Sequence, residues 1–398
     1  MSHRDETHLT RRLTKPSGYS APHGRGPASL SHMRSFIALL LIPLLTSASA
    51  LALFTVPLTK LQRTGTYLKG SPDADRARAA FLKRRTASGP VAVPATNLAY
   101  VQYTTRVGIG NPPTYYNLVI DTGSSTLSTS TSIPTGENVE VYYGSGFFSG
   151  KEYLDQVTLA PNLVSMASSG VGPVDLTLGT FSPDKNATAP TVMNNLMSQG
   201  LIENKVLGVY FGPATNYSDK NGALTYGGAD LSVCEGEFTY APVTDTYPAA
   251  GYWGINVTSC TYGKHTVIHS STAGIVDTGT TLVLIADDFF ARYMHAIPGA
   301  KVDSNTGLIE IPRRSISSMH PLNFTIAGQV FSLDVAAQLI PKDQNTAWGG
   351  DAKKRYGVVN FMGSRSGQGM DFIIGQKFLE RYYSVFDTDS KRVGFART

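Results

Sequence analysis

The run Leu118-Val-Ile-Asp-Thr-Gly-Ser-Ser125 returns later in the chain as Gly274-Ile-Val-Asp-Thr-Gly-Thr-Thr281. Each copy is an aliphatic, partly β-branched stretch that ends in Asp-Thr-Gly and two hydroxyl residues. Such a self-match marks a duplicated unit. It constrains the chain more than any other feature, because the fold must offer two equivalent strand ends, each delivering a carboxylate into a glycine turn. A carboxylate buried that way is costly unless hydrogen bonds or a shared proton compensate. A single copy would be read as a turn former or cap. Two copies, one per lobe, predict a pseudo-twofold site in which Asp121 and Asp277 face each other.

The surrounding pattern fits that demand. Strand-like runs at 100–109, 115–120, 139–143, 238–243, 274–285 and 385–395, separated by Gly, Pro, Asn and Ser, predict an all-β body. Three short stretches read as helical: 191–199, 286–296 with Asp287 and Asp288 in its first turn, and 375–381. The expectation is two β lobes of about 150 residues, each able to bury its own core, with the cleft between them.

The net charge of +5 invites a nucleic-acid reading. Its placement argues otherwise: residues 1–86 hold 14 Lys/Arg against 4 Asp/Glu, leaving 20 against 25 in residues 87–398. The basic excess belongs to the N-terminal fifth, and the body is acidic. Within that fifth no charge occurs between Arg34 and Lys60, and the apolar run 36–45 follows a basic residue and precedes Ala48-Ser49-Ala50. These are the three parts of a secretory signal, and the prolines Pro43 and Pro57 argue against a membrane anchor. The signal starts naturally at Met33, which makes 1–32 an upstream extension, 33–50 the signal peptide and 51–86 the segment between signal and body. The expected compartment is extracellular, with membrane contact only through the signal.

Two cysteines, Cys234 and Cys260, are too few for a disulfide scaffold. If the segments around 238–240 and 253–256 form an antiparallel hairpin, the two fall opposite each other and can pair; the alternative is two free thiols. Sequons at Asn186, Asn216, Asn256 and Asn323 permit glycosylation, at a number that chance alone supplies.

Two carboxyls a few ångströms apart share one proton over a broad acid range, so one serves as base while the other serves as acid. A water between them can be deprotonated and attack an amide carbonyl that the protonated partner polarises. Thr122 and Thr278 can cross-link the loops, Gly123 and Gly279 permit close backbone approach, and Ser124 and Thr280 can donate to the carboxylates. Other chemistries lack their residues: there is no His-Glu-x-x-His, Gly-x-Ser-x-Gly, phosphate loop or Cys-x-x-Cys, and His265 with His269 has no third ligand. No metal or cofactor is called for.

From about residue 92 onward the chain resembles the pepsin-type (A1) aspartic endopeptidases, in particular the secreted enzymes of basidiomycete fungi. The resemblance rests on both triplets and on Tyr143-Gly144-Ser145-Gly146, which matches the flap that closes over substrate. It rests also on Leu224-Thr-Tyr-Gly-Gly-Ala-Asp230, Phe372-Ile-Ile-Gly375 and Val393-Gly-Phe-Ala396. It implies the bilobal pepsin fold, with lobes at 87–238 and 239–398, polypeptide substrates and pepstatin-like inhibitors. It also implies a monomer, residues 373–375 packed behind the second Asp, and a hydrophobic or aromatic P1 residue from Ser145 at the flap tip. Residues 51–86 then resemble a propeptide, with 56–60 as its first strand and Lys83-Arg84-Arg85 near the processing point. Its cations would pair with carboxylates of the acidic body and occlude the cleft until acid releases it.

Two departures flank Asp121. Where the family has a tryptophan seven residues after the Asp, this chain has Ser128, and Asp121 stands closer to Tyr143 than in the family. Between Gly150 and Gly172 only Gly170-Val-Gly172-Pro173 resembles the usual run behind the first Asp. Either coding segments are missing from the sequence, or the chain is a pepsin-fold binding or decoy protein that has lost catalysis. The intact triplets and flap tyrosine favour the first.

Overall fold

The structure, a computed structural model, describes residues 53–60, 65–85, 103–119, 133–143, 146–160, 163–170, 192–212 and 222–398. In chain order, β1 (Phe54–Lys60) and α1 (Ser71–Arg85) precede β2 (Tyr103–Ile109), β3 (Thr114–Val119), β4 (Ile133–Tyr143), β5 (Gly146–Ala160) and β6 (Leu163–Gly170). After α2 (Val192–Ser198) come β7 (Val206–Phe211), β8 (Gly222–Tyr226) and β9 (Glu235–Pro242). β10 (Gly254–Tyr262), β11 (His265–Ile268), β12 (Thr272–Val276) and β13 (Val283–Ile285) lead into α3 (Asp287–His295). β14 (Lys301–Val302), β15 (Ile309–Glu310), β16 (Leu322–Ile326), β17 (Gln329–Leu333) and β18 (Tyr356–Gly357) follow. The chain closes with β19 (Val359–Phe361), β20 (Phe372–Ile374), α4 (Gln376–Leu379), β21 (Tyr382–Asp387) and β22 (Arg392–Arg397).

These strands form sheets of eleven, eight and three among the described residues, as the all-β reading expects. The largest runs β4-β5-β2-β1-β8-β7-β21-β22-β9, with β3 on β2 and β6 on β5. β1 is therefore an interior strand. It pairs with β8 from Phe54 opposite Tyr226 to Leu58 opposite Gly222, and its alternate residues Val56 and Leu58 are buried. Sheet membership does not follow a cut at residue 238, since β9, β21 and β22 share this sheet with β7 and β8. The eight-stranded sheet runs β17-β16-β10-β12-β20-β13-β19, with β11 on β10. Its core is aromatic: α3 lays Tyr293 edge-on to Tyr262 at 5.2 Å, and Phe378 meets Phe324 edge-on at 5.9 Å.

Three of the four α-helices among the described residues fall on the stretches read as helical, one or two residues shorter at each end. The fourth, α1, was not expected. The hairpin that would set the two cysteines opposite each other does not form: β9 pairs with β22 in the large sheet, whereas β10 pairs with β11, β12 and β16 in the other. Cys234 and Cys260 are accordingly free thiols, the first donating to the Asp230 carbonyl at 3.4 Å and the second buried in the C-terminal core. Without that hairpin the register that would set the two cysteines face to face is absent, which corrects the pairing considered above.

Candidate active site

The second Asp-Thr-Gly turn is built by three buried strands. β12 runs parallel to β20, with Ile275 opposite Ile373 and Val276 opposite Ile374, and β13 returns antiparallel on the far side of β20. The turn from Asp277 to Leu282 therefore crosses over the end of β20. Such a crossing needs room, and Gly375 supplies it: a Cβ there would stand 2.2 Å from the Leu282 carbonyl oxygen and 2.6 Å from that of Thr280. The contacts are completed by Asp277 N donating to Ile374 O, Gln376 N to Thr280 O, and Gln376 Nε2 to Thr278 O.

Asp277 is buried at the tip of this turn. Its Oδ1 accepts from Gly279 N at 3.1 Å and its Oδ2 from Thr280 Oγ1 at 2.6 Å. Arg78, on α1, completes the set: Nε donates to Oδ2 at 2.6 Å and Nη2 to Oδ1 at 3.0 Å. A fork-on-fork pair of this kind is the strongest hydrogen-bonded arrangement a carboxylate makes with a protein cation. Burial alone would push the Asp277 carboxyl up, but the Arg78 charge and hydrogen bonds, with those of Thr280 and Gly279, hold it below the ordinary carboxylate value.

Further contacts fix α1 along the same surface. Asp75, three residues before Arg78 and so on the same helix face, is buried and accepts from Thr281 N at 3.2 Å and Leu282 N at 2.8 Å. Tyr252 OH donates to Leu82 O, Lys83 Nζ donates to Ser364 Oγ, and the Arg76 guanidinium lies 4.2 Å over the Phe361 ring. Ahead of the helix, Leu68 N donates to Ala347 O at 2.7 Å. Residues 65–85 thus lie against the second Asp-Thr-Gly turn itself.

Of the residues singled out in the sequence, Asp277, Thr278, Gly279 and Thr280 come together in one turn. Tyr143 and Gly146 pair across the end of the β4–β5 hairpin. Asp121, Thr122, Gly123, Ser124, Ser128, Gly144, Ser145, Asn186 and Asn216 lie outside the described residues, as does the signal segment. Asn256 is exposed on β10 and accepts from Thr244 Oγ1, and Asn323 is half-buried on β16. His269 lies 3.3 Å from Arg292, and no group of three or more His, Cys, Asp or Glu able to hold a metal occurs among the described residues.

Asp75 and Arg78 are the site residues that sequence reading passed over. A signal for their helix exists: Ser71-Pro72-Asp73 at the start, alanines at 74, 77, 79 and 80, and Lys83-Arg84-Arg85 at the end follow the start and stop preferences of a helix. What hides it is the absence of an apolar stripe, because the buried face carries Asp75 beside Ser71, Ala79 and Leu82.

Comparison with known proteins agrees with this geometry. The family profile described as eukaryotic aspartyl protease matches residues 126–398. The chain is 49% identical over 331 residues to polyporopepsin of Irpex lacteus, covering 77% of this chain and 96% of that one. It is 29% identical over 419 residues to human cathepsin D, covering 89% and 98%. The crystal structure of an aspartic proteinase from Irpex lacteus superposes with a TM-score of 0.72 at 41% identity, covering 87% of this chain and 98% of that one.

Proposed function

The chain belongs to the eukaryotic aspartyl protease family, the pepsin-type aspartic endopeptidases, and from that premise we propose that it is secreted as a zymogen and cleaves polypeptides at acid pH. Asp277 works with Asp121 as the dyad. The ionised carboxylate takes a proton from a water held between the two, the water oxygen bonds to the scissile carbonyl carbon, and the other carboxyl gives its proton to the carbonyl oxygen. Collapse of the tetrahedral adduct expels the amine, which leaves with a proton from the dyad. Thr280 and Gly279 support this role by stabilising the ionised form of Asp277. Two motifs in one chain supply what a single-motif enzyme needs a dimer to build, so the working unit is a monomer.

The observation that carries the zymogen reading is the Arg78–Asp277 pair. While Arg78 occupies both oxygens of Asp277, no water can bridge the dyad, so residues 51–86 act as a propeptide. Secretion rests on the sequence of 33–50 and a hydrophobic or aromatic P1 on Ser145. The test is proteolysis at pH 3–5 that pepstatin blocks and Asp277→Asn abolishes, a loss of at least about a hundredfold for removal of an acid–base group. Proteolysis surviving in Asp277→Asn would overturn it. Efficient cleavage after Lys in a peptide library would overturn the P1 preference.

A second reading, a catalytically silent binder, is favoured by one finding. The family match begins at residue 126, past Asp121, and the alignment to polyporopepsin spans 331 positions while using only 77% of 398 residues, so this chain is the shorter across the match. Pepstatin binding without turnover by a protein whose cDNA carries this same sequence at 126–132 and 160–172 would establish it.

A further inference from the structure

α1 carries two charged groups into the catalytic turn, and only one of them is a cation. The Asp75 carboxyl is buried, with Oδ1 and Oδ2 each accepting one backbone N–H, from Thr281 and Leu282. Among the described residues, the charged groups that face it are Arg78 from its own helix and Asp277 from the turn packed against it. Arg78 commits Nε and Nη2 to Asp277. Among the described residues, then, one guanidinium faces two buried carboxyls, and the arrangement is best balanced when one of them is neutral. Asp277 has the guanidinium, a hydroxyl and a backbone N–H; Asp75 has two backbone N–H groups. A carboxyl oxygen has a second lone pair, so Asp75 can hold a proton on one oxygen and keep both N–H contacts.

Resting on the zymogen reading above, we infer that Asp75 is a proton-dependent second anchor of the propeptide, making α1 dock most tightly in mild acid and loosen toward neutral pH. Docking takes up one proton on Asp75 from solvent, and undocking returns it. The electrostatics agree: burial pushes the Asp75 carboxyl up to about 7 from 3.8, Asp277 adding to the effect while the two N–H groups and Arg78 oppose it. A raised acid contributes stability that is full below its free value and is lost as pH rises through its docked value. The docking constant therefore falls by up to about tenfold per pH unit from the free value toward pH 7 and levels off above it. This runs opposite to the Arg78–Asp277 pair, which fails only when Asp277 is protonated. Neutral pH is thus the looser state and mild acid the tighter one.

The experiment is hydrogen–deuterium exchange of the full-length zymogen at pH 4.5–8.5, followed as protection of peptides covering 71–85 and corrected for intrinsic rates. The expected result is opening that rises toward pH 7 and plateaus above it in the wild type, and that is flat with pH in Asp75→Asn. Protection in the wild type that is constant across the range, or an Asp75→Asn slope equal to that of the wild type, overturns the inference. If Asp75→Asn fails to fold, judged by lost protection in β10 and β16, the wild-type slope alone decides. Arg78→Met separates the two levels: protection of 71–85 unaffected by that change would sink the zymogen latch itself, whereas protection lost at every pH leaves the latch standing and the slope as the test of Asp75.

Discussion

The hydroxyl of Thr280 is aimed at the same oxygen of Asp277 that takes Arg78 Nε. Once Arg78 leaves, Thr280 Oγ1 and Gly279 N are the donors that remain among the described residues, and both favour the ionised form. Removing one must therefore raise the Asp277 carboxyl. Thr280→Val keeps the shape and deletes the donor, so the acidic limb of the kcat/KM–pH profile should move up by about one unit, matching a charge-assisted hydrogen bond of about 1.5–3 kcal/mol discounted for relaxation. An acidic limb that stays in place would show that Thr280 does not set it. The two Asp-Thr-Gly triplets made this chemistry legible from the sequence, because a strand, an acid and a glycine turn are all local. The partners of Asp277 were half legible: Thr280 lies three residues away, whereas Arg78 comes from 199 residues earlier and could be inferred only as an unspecified cation.

The second Asp-Thr-Gly turn is held by the β12–β20–β13 trio, and its weak point is the exchange of direction over Gly375. With φ at −95 this glycine is not needed for a left-handed backbone. It is needed because two carbonyl oxygens of the turn approach closer than any Cβ allows. Gly375→Ala should cost about 1–3 kcal/mol, as overpacking does, and should displace the Thr280–Leu282 carbonyls together with Asp277. The expected outcome is a lower denaturant midpoint with unchanged m, and activity reduced more than stability. Unchanged values for both would mean that the turn yields at no cost. Element existence was readable here because strand runs bounded by glycine have few alternatives, and β12 and β13 were read as one run, 274–285, broken at the turn. α1 was not readable. Its buried residues mix Ser71 and Asp75 with Ala79, Phe81 and Leu82, and a face so interrupted by polar groups leaves a weak periodic signature in one sequence.

Across the whole molecule the charge is divided between residues 1–86 at net +10 and residues 87–398 at net −5, and Arg78 brings a cation of the first part onto Asp277 of the second. The division was legible from the sequence; that a carboxylate accompanies the cation was not. After loss of residues 1–86 the enzyme should focus at an acidic pI, against about 9.0 for the full chain, and a secreted form that focuses above pH 7 would contradict removal of that segment. The same two charges fix the pH at which it leaves. The Arg78–Asp277 contribution is fully present above the free carboxylate value of 3.8 and is lost as pH falls through the lowered value that Asp277 has when docked. Asp75 is fully engaged at that point, since its contribution only grows as pH falls toward 3.8. Both groups therefore hold the propeptide through pH 4–5, and release begins only below the ordinary carboxylate range. Incubating the zymogen between pH 2 and pH 6 and following conversion by gel should place half-maximal processing below about pH 4. Arg78→Ala, which leaves Asp277 buried without its cation at a cost of about 3–5 kcal/mol, should move that midpoint upward; conversion of the wild type at pH 5.5 as fast as at pH 3 would refute the charge-pair latch.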